Sequence, residues 1–298
     1  MEQAKPSSFL RIVERLRLTL AMIKFEHSIF ALPFAFTGAL LAWRESGFPT
    51  ESLAAKALWI LLAMVGARSA AMTFNRIVDA KIDARNPRTA QRHIPAGALS
   101  RNFAWGFFLA STGLFLLASA MLNTLCLALA PVALGIVLLY SYTKRFTSLA
   151  HIVLGLSLGI APSAAWIAMR GELDIRIGWL SLAVLLWTAG FDIIYACQDF
   201  DFDRREGLFS IPAKLGIGPA LWVSRALHVA TVGSLLVLAQ QFSLGLWPVA
   251  IVVAVLAWEH SLVRASDLSK ADMAFFTANG FLGLAYFGAM ALEVYRNV

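Results

Sequence analysis

The sequence predicts an all-α integral membrane protein with nine transmembrane helices. Its 298 residues are 59% hydrophobic and only 14% charged, and the mean hydropathy is +0.71. A soluble domain of this length carries far more polar surface. The apolar runs recur along the whole chain and reach the ~20 residues that a membrane-crossing helix requires. A chain in lipid must satisfy its backbone internally, and the alternating pattern of a transmembrane barrel is absent, so the spans are helical.

Residues 9–26 open the chain as an amphipathic lead-in. Leu10, Ile12, Val13, Leu16, Leu18 and Leu20 interleave there with Arg11, Arg15 and Arg17. Such a segment lies at the interface or begins the first helix. The spans follow at 22–43, 54–78, 101–122, 125–142, 149–169, 177–199, 219–240, 246–264 and 273–294. With the N-terminus in the cytoplasm, seventeen of the 25 Lys and Arg residues fall on the cytoplasmic side and five on the other, as the positive-inside rule requires. Lys24, Arg68 and Arg225 fall within spans. No soluble domain, long linker or low-complexity segment interrupts the pattern, so residues 1–298 read as a single transmembrane domain.

The net charge of +7 is a signature of nucleic-acid binders too. Here the basic residues lie between membrane spans, which points to topology and not to nucleic acid. Cys126 and Cys197 sit in apolar runs and read as buried free thiols. The five histidines show no zinc spacing. Met1 to Ser8 is polar and carries neither a signal-peptide core nor a transit pattern, which favours a bacterial plasma membrane.

The chemistry gathers at the ends of the second and sixth spans. Asn75, Asp79 and Asp83 are spaced four apart. At ~3.6 residues per turn, that spacing puts them on one helix stripe. An oxygen-only stripe suits a hard divalent cation such as Mg2+. A single DxxxD equally describes a polar helix end entering water. A second copy shifts the balance: Tyr195, Asp199 and Asp203 repeat the spacing about 120 positions later, with Asp192 and Asp201 beside them. Both copies run into similar tails, His93-Ile-Pro-Ala96 and Ser210-Ile-Pro-Ala213. The recurrence hints at a duplicated four-helix unit with the ninth span extra. Two facing carboxylate stripes can hold Mg2+ ions, whose natural joint ligand is a diphosphate.

Basic residues flank both stripes. Arg85, Arg88 and Arg92 follow the first, Lys144 and Arg145 lie between spans four and five, and Arg204 and Arg205 follow the second. Planar guanidinium forks suit phosphate oxygens, although any one of these arginines also serves as positive-inside charge. Arg68 lies seven residues before Asn75, inside the apolar run. An intramembrane arginine is a functional hypothesis by default, with a structural pair to Asp192 or another polar partner as the plainer alternative. Lys24, Glu26 and His27 form a polar island that would either bind a polar acceptor or snorkel to the interface.

These residues resemble the UbiA superfamily of intramembrane prenyltransferases. The resemblance rests on Asn75-x3-Asp79-x3-Asp83, on Asp192-x2-Tyr195-x3-Asp199-x3-Asp203 and on Tyr140-x3-Lys144-Arg145-Phe-Thr, and it covers nearly the whole chain. The stretch from Tyr142 through His151 to Leu156 is most similar to the 4-hydroxybenzoate polyprenyltransferase branch. The resemblance implies helices around a central cavity and transfer of a polyprenyl group from its diphosphate to an aromatic acid. It implies Mg2+ held by Asn75, Asp79, Asp83, Asp199 and Asp203, with the diphosphate bound by Lys144, Arg85, Arg88 and Arg145. Asp192, Tyr195 and Arg68 would serve the reacting groups, in a membrane site open to the cytoplasm. Phe200 and Phe202 stand where some members of that branch carry acids, and the first span differs at Ile23 to Ser28. The acceptor therefore stays open between 4-hydroxybenzoate and a futalosine-type aromatic acid. A secondary transporter is the competing class, since transporters also show intramembrane acids and repeats.

Overall fold

A computed structural model describes residues 8–23 and 30–296. Lys24, Glu26 and His27 lie outside the described residues. Twelve α-helices follow in chain order: α1 (Ser8–Met22), α2 (Leu32–Glu45), α3 (Leu53–Asp83), α4 (Arg101–Leu122), α5 (Thr124–Thr143), α6 (Ala150–Arg170), α7 (Gly178–Ala196), α8 (Phe200–Glu206), α9 (Ile211–Leu215), α10 (Ile217–Gln241), α11 (Trp247–Ser261) and α12 (Asn279–Arg296). Among the described residues, seven helical segments are long and apolar enough to cross a membrane; α11 is a shorter apolar helix. The described residues contain no strand, only an isolated bridge between Arg264 and Asp267.

Three boundaries differ from the sequence expectation. The first span does not run unbroken from residue 22: α1 stops at Met22 and α2 begins at Leu32. Pro33 stands in the first turn of α2, where its missing N–H costs nothing and its ring blocks backward extension. The sixth span ends in a 3-10 turn, Cys197–Asp199, before α8. The last span opens as a π turn, Met273–Ala278.

The bundle closes because α12 packs on α2 while α3 lies along α4 and α7 lies between α6 and α10. Small residues allow these approaches. A Cβ on Gly155 would enter the Leu185 backbone of α7, and one on Gly159 would lie 2.7 Å from Ser181 O. Close backbone contact of this kind replaces the hydrophobic drive that helices lose in lipid. The main core, with Trp166, Trp187, Phe191 and Tyr286 fully buried, gathers where α2, α6, α7, α10, α11 and α12 meet.

A cavity of about 930 Å3 opens between α3, α5 and α6. Asn75, Arg68 and Tyr140 line it toward the aspartate end, and Cys126 and Leu173 line it toward the opposite face. Its α3 wall runs from Ile60 to Asn75, roughly 22 Å at 1.5 Å per residue. Nearly all the groups between these ends are apolar.

Candidate active site

The first stripe forms as the spacing predicts. Asn75, Asp79 and Asp83 stand on one uninterrupted helix, and Asn75 Nδ2 donates to Asp79 Oδ2 at 2.9 Å. The second stripe is not a continuous α-helical face. The 3-10 turn at Cys197–Asp199 separates Tyr195 on α7 from Asp203 on α8. A 3-10 turn has ~3 residues per turn in place of ~3.6, so four-residue spacing no longer keeps side chains in one row. Asp199 instead becomes the N-cap position of α8, turned toward the loop that follows α3.

That loop joins the two motifs. Arg88 Nε donates to Asp199 Oδ1 at 2.9 Å, Arg88 Nη2 pairs with Asp199 Oδ2, and Asn86 Nδ2 reaches Asp199 Oδ1 at 3.3 Å. Arg88 Nη1 also donates to the Tyr195 hydroxyl at 2.9 Å. The backbone of the loop is set by its own side chains: Arg88 N donates to Asn86 Oδ1, and Thr89 Oγ1 donates to Asp83 O. Burial alone would pull the Arg88 guanidinium down, but its bonds to Asp199 and Tyr195 hold it above the ordinary arginine range.

Every aspartate of the two stripes has a basic or hydroxyl neighbour. Arg145 Nη2 donates to Asp79 Oδ1 at 2.9 Å and to Val78 O, and Arg92 Nη1 donates to Asp83 Oδ1 at 2.7 Å. Ser210, the N-cap of α9, lies beside Asp203. Lys144 caps the C-terminus of α5 and its backbone carbonyl accepts from Phe209 N, so the loop after the second motif docks on it. Burial alone would lower the Lys144 ammonium; Tyr140, Asp203, Asp192 and Asp199 around it hold it above the ordinary lysine range. Lys144 thus stands among carboxylates from both ends of the site. Arg85 differs: it is exposed and pairs with Glu206 at 3.0 Å.

Asp192 lies deeper and is buried. Its partner is His151, whose Nδ1 lies 2.6 Å from Asp192 Oδ2. The His151 tautomer follows from its other nitrogen. Ile211 N–H donates to His151 Nε2 at 3.3 Å, so Nε2 carries the lone pair and Nδ1 carries the proton given to Asp192. Arg68 lines the cavity. Sequence reasoning passed over His151, Asn86 and Ser210 as individual site residues. The tail Ser210-Ile-Pro-Ala213 held a signal, since the Ile211 N–H donates to His151.

The donor set fits a divalent cation. Asp83 Oδ2 and Asp203 Oδ2, one from each motif, are buried oxygens without a hydrogen-bond partner. Among the described residues no cluster of three or more His, Cys, Asp or Glu forms a metal cage. A Mg2+ site needs only one or two carboxylates together with water and substrate phosphates.

Comparison with known proteins covers most of the chain. The model of the UbiA prenyltransferase family matches residues 31–282. The chain is 31% identical over 251 residues to a 4-hydroxybenzoate octaprenyltransferase of Pseudomonas fluorescens, covering 83% of this chain and 84% of that one. It is 32% identical over 235 residues to one of Vibrio cholerae, covering 76% and 81%. Among solved structures, the apo UbiA homolog of Aeropyrum pernix superposes with a TM-score of 0.80 at 36% identity, over 90% of this chain and 97% of that one. A UbiA homolog of Archaeoglobus fulgidus bound to GPP and Mg2+ shares the fold, with a TM-score of 0.73 at 21% identity over 93% and 99%.

Proposed function

Because this chain belongs to the UbiA prenyltransferase family, and so is an aromatic prenyltransferase, we propose that it transfers a polyprenyl group from polyprenyl diphosphate to 4-hydroxybenzoate in an Mg2+-dependent reaction of quinone biosynthesis. The observation that supports this reading is the contact of Arg88 with Asp199 and Tyr195, which joins the loop after the first motif to the second, while Asn75 of the first motif lines a long apolar cavity. The names of relatives about 30% identical support the choice of acceptor.

On this reading Asn75, Asp79, Asp83, Asp199 and Asp203 hold Mg2+. Bound there, the ion supplies charge that stabilises the departing diphosphate. Lys144, Arg88 and Arg145 bind the diphosphate oxygens, exchanging their carboxylate partners for phosphate. Arg85 stands further out and acts at entry. The prenyl tail lies in the apolar cavity, which keeps water from the reacting carbon.

Breaking the C–O bond leaves an allylic cation, and the ring carbon of the acceptor attacks it. The ring then loses one proton. Asp192 is placed to take it: His151 Nδ1–H holds Oδ2 and fixes the carboxylate, leaving Oδ1 as the accepting oxygen. Tyr195 orients the acceptor and lines the cation. Arg68, at the cavity wall, binds the acceptor carboxylate.

The helices α2 and α11 complete the bundle, so that nine segments cross the membrane as one transferase domain. The site opens to the cytoplasm of a bacterial plasma membrane, where diphosphates and Mg2+ are available. The carboxylates at helix ends, flanked by basic loops, set this apart from a transporter site at the midplane. The test is a transfer assay in proteoliposomes with prenyl diphosphate, Mg2+ and either 4-hydroxybenzoate or a futalosine-type acid, with EDTA as control. Mg2+-dependent product with 4-hydroxybenzoate supports the reading; product with only the other acid moves the protein to menaquinone synthesis.

A further inference from the structure

Asn279 is fully buried at the junction of the π turn Met273–Ala278 and α12. A π turn is rare, widens the helix by one residue and disturbs the regular backbone pairing. The Asn279 side chain fills that gap. Its Nδ2 lies 2.9 Å from Ala274 O, 3.2 Å from Phe275 O and 3.0 Å from Glu259 Oε1, so its two N–H donors are shared among three acceptors. Its Oδ1 accepts from Trp187 Nε1 at 2.6 Å. Glu259 is 0% exposed and Trp187 1%. One amide therefore ties α7, α11 and α12 together inside the bilayer, using both its donor and its acceptor.

The turn so held carries two aromatic rings to the active site. The Phe275 ring centroid lies 4.1 Å from that of Tyr195, and Phe276 lies 5.9 Å away. The Arg88 guanidinium lies 5.1 Å from the same Tyr195 ring and donates to its hydroxyl. Arg88 in turn holds Asp199. A run of contacts thus leads from Asn279 through Phe275 and Tyr195 to the loop at the diphosphate end.

We propose that Asn279 is a positioning residue for prenyl transfer: by holding the π turn it presses Phe275 against Tyr195 and so sets Arg88 over Asp199. The proposal rests on the reading of Tyr195, Arg88 and Asp199 as active-site residues. Without the amide donors, the turn recovers backbone pairing by relaxing to a regular α-helix. Losing one residue of register rotates the preceding residues by about 100°. That rotation carries Phe275 off Tyr195.

The test compares the parent protein with Asn279→Leu, Phe275→Leu and Phe275→Tyr in nanodiscs, by hydrogen exchange of residues 84–92 and by steady-state kinetics. Asn279→Leu and Phe275→Leu should both speed exchange in 84–92, which they reach through Tyr195, and should lower kcat about 10–100-fold. The double variant should be no worse than the worse single, because both act through one contact. Phe275→Tyr keeps the ring and should stay near the parent. Unchanged exchange in 84–92 for both leucine variants, or losses that add, overturns the proposal. If Asn279→Leu does not fold, Phe275→Leu decides alone, and parent-like exchange and kcat refute it. A parent protein that transfers no prenyl group refutes the active-site reading and leaves the exchange test of this coupling standing.

Discussion

Arg88 lies 111 positions from Asp199 in sequence and grips both of its carboxylate oxygens. The loop after the first motif therefore completes the second. On the proposed reading Arg88 closes the site as well as binding phosphate. Arg88→Ala should lower kcat/KM for the prenyl diphosphate by about 10²–10³-fold, the scale of removing one preorganised electrostatic donor. Arg88→Lys should recover little, since an ammonium cannot bridge Asp199 and Tyr195 together. Parent-like kinetics in the lysine variant would show that charge alone suffices.

Asp79→Ala and Asp199→Ala should each abolish transfer while the protein still folds in membranes. The carboxylates sit at the helix ends, and each already has an arginine that water can solvate in its place. Mg2+ titration of the parent by calorimetry, with prenyl diphosphate present, should show binding that both variants lose. Full activity in either variant would remove that residue from the metal site.

His151 holds Asp192, the carboxylate proposed to take the ring proton. His151→Ala should lower kcat about 10–100-fold, as loss of an orienting partner does, and leave the KM for prenyl diphosphate unchanged. The check is a kcat against KM comparison with both substrates varied. A rise in the diphosphate KM with intact kcat would place His151 at the other end of the site.

Arg68 faces the cavity one helical stretch before Asn75. Arg68→Ala should raise the KM for 4-hydroxybenzoate and leave the diphosphate KM near the parent's. Matching acceptor kinetics in parent and variant would end its role in acceptor binding.

Gly155 lies where α6 meets the backbone of α7. Gly155→Ala has no room beside Leu185 and should destabilise the protein by about 1–3 kcal/mol, the ordinary cost of overpacking. A thermal-shift measurement in detergent should show a lower Tm. An unchanged Tm would mean the two helices can separate without loss.

The first stripe was legible in the sequence because Asn75, Asp79 and Asp83 repeat at a helical period on one helix. Tyr195, Asp199 and Asp203 carry the same spacing, yet the 3-10 turn at Cys197–Asp199 redirects them. Nothing in local propensity announces that turn; it is set by the loops that pack on it. Likewise His151 and Asn86 give no local signal, because their partners are 41 and 113 residues away.

The sequence by itself determined the membrane class, the position of most spans and the two acidic motifs. These follow from short-range rules: hydrocarbon must be crossed by about 20 apolar residues, and side chains four apart share a helix face. Only the tertiary structure decided which arginine meets which aspartate, that His151 holds Asp192, and that Asn279 braces a π turn behind Tyr195. Those pairings join helices far apart in the chain, and their geometry depends on how backbones approach at Gly155 and where Pro33 starts a helix. Packing sets such distances, and no window of sequence contains both partners.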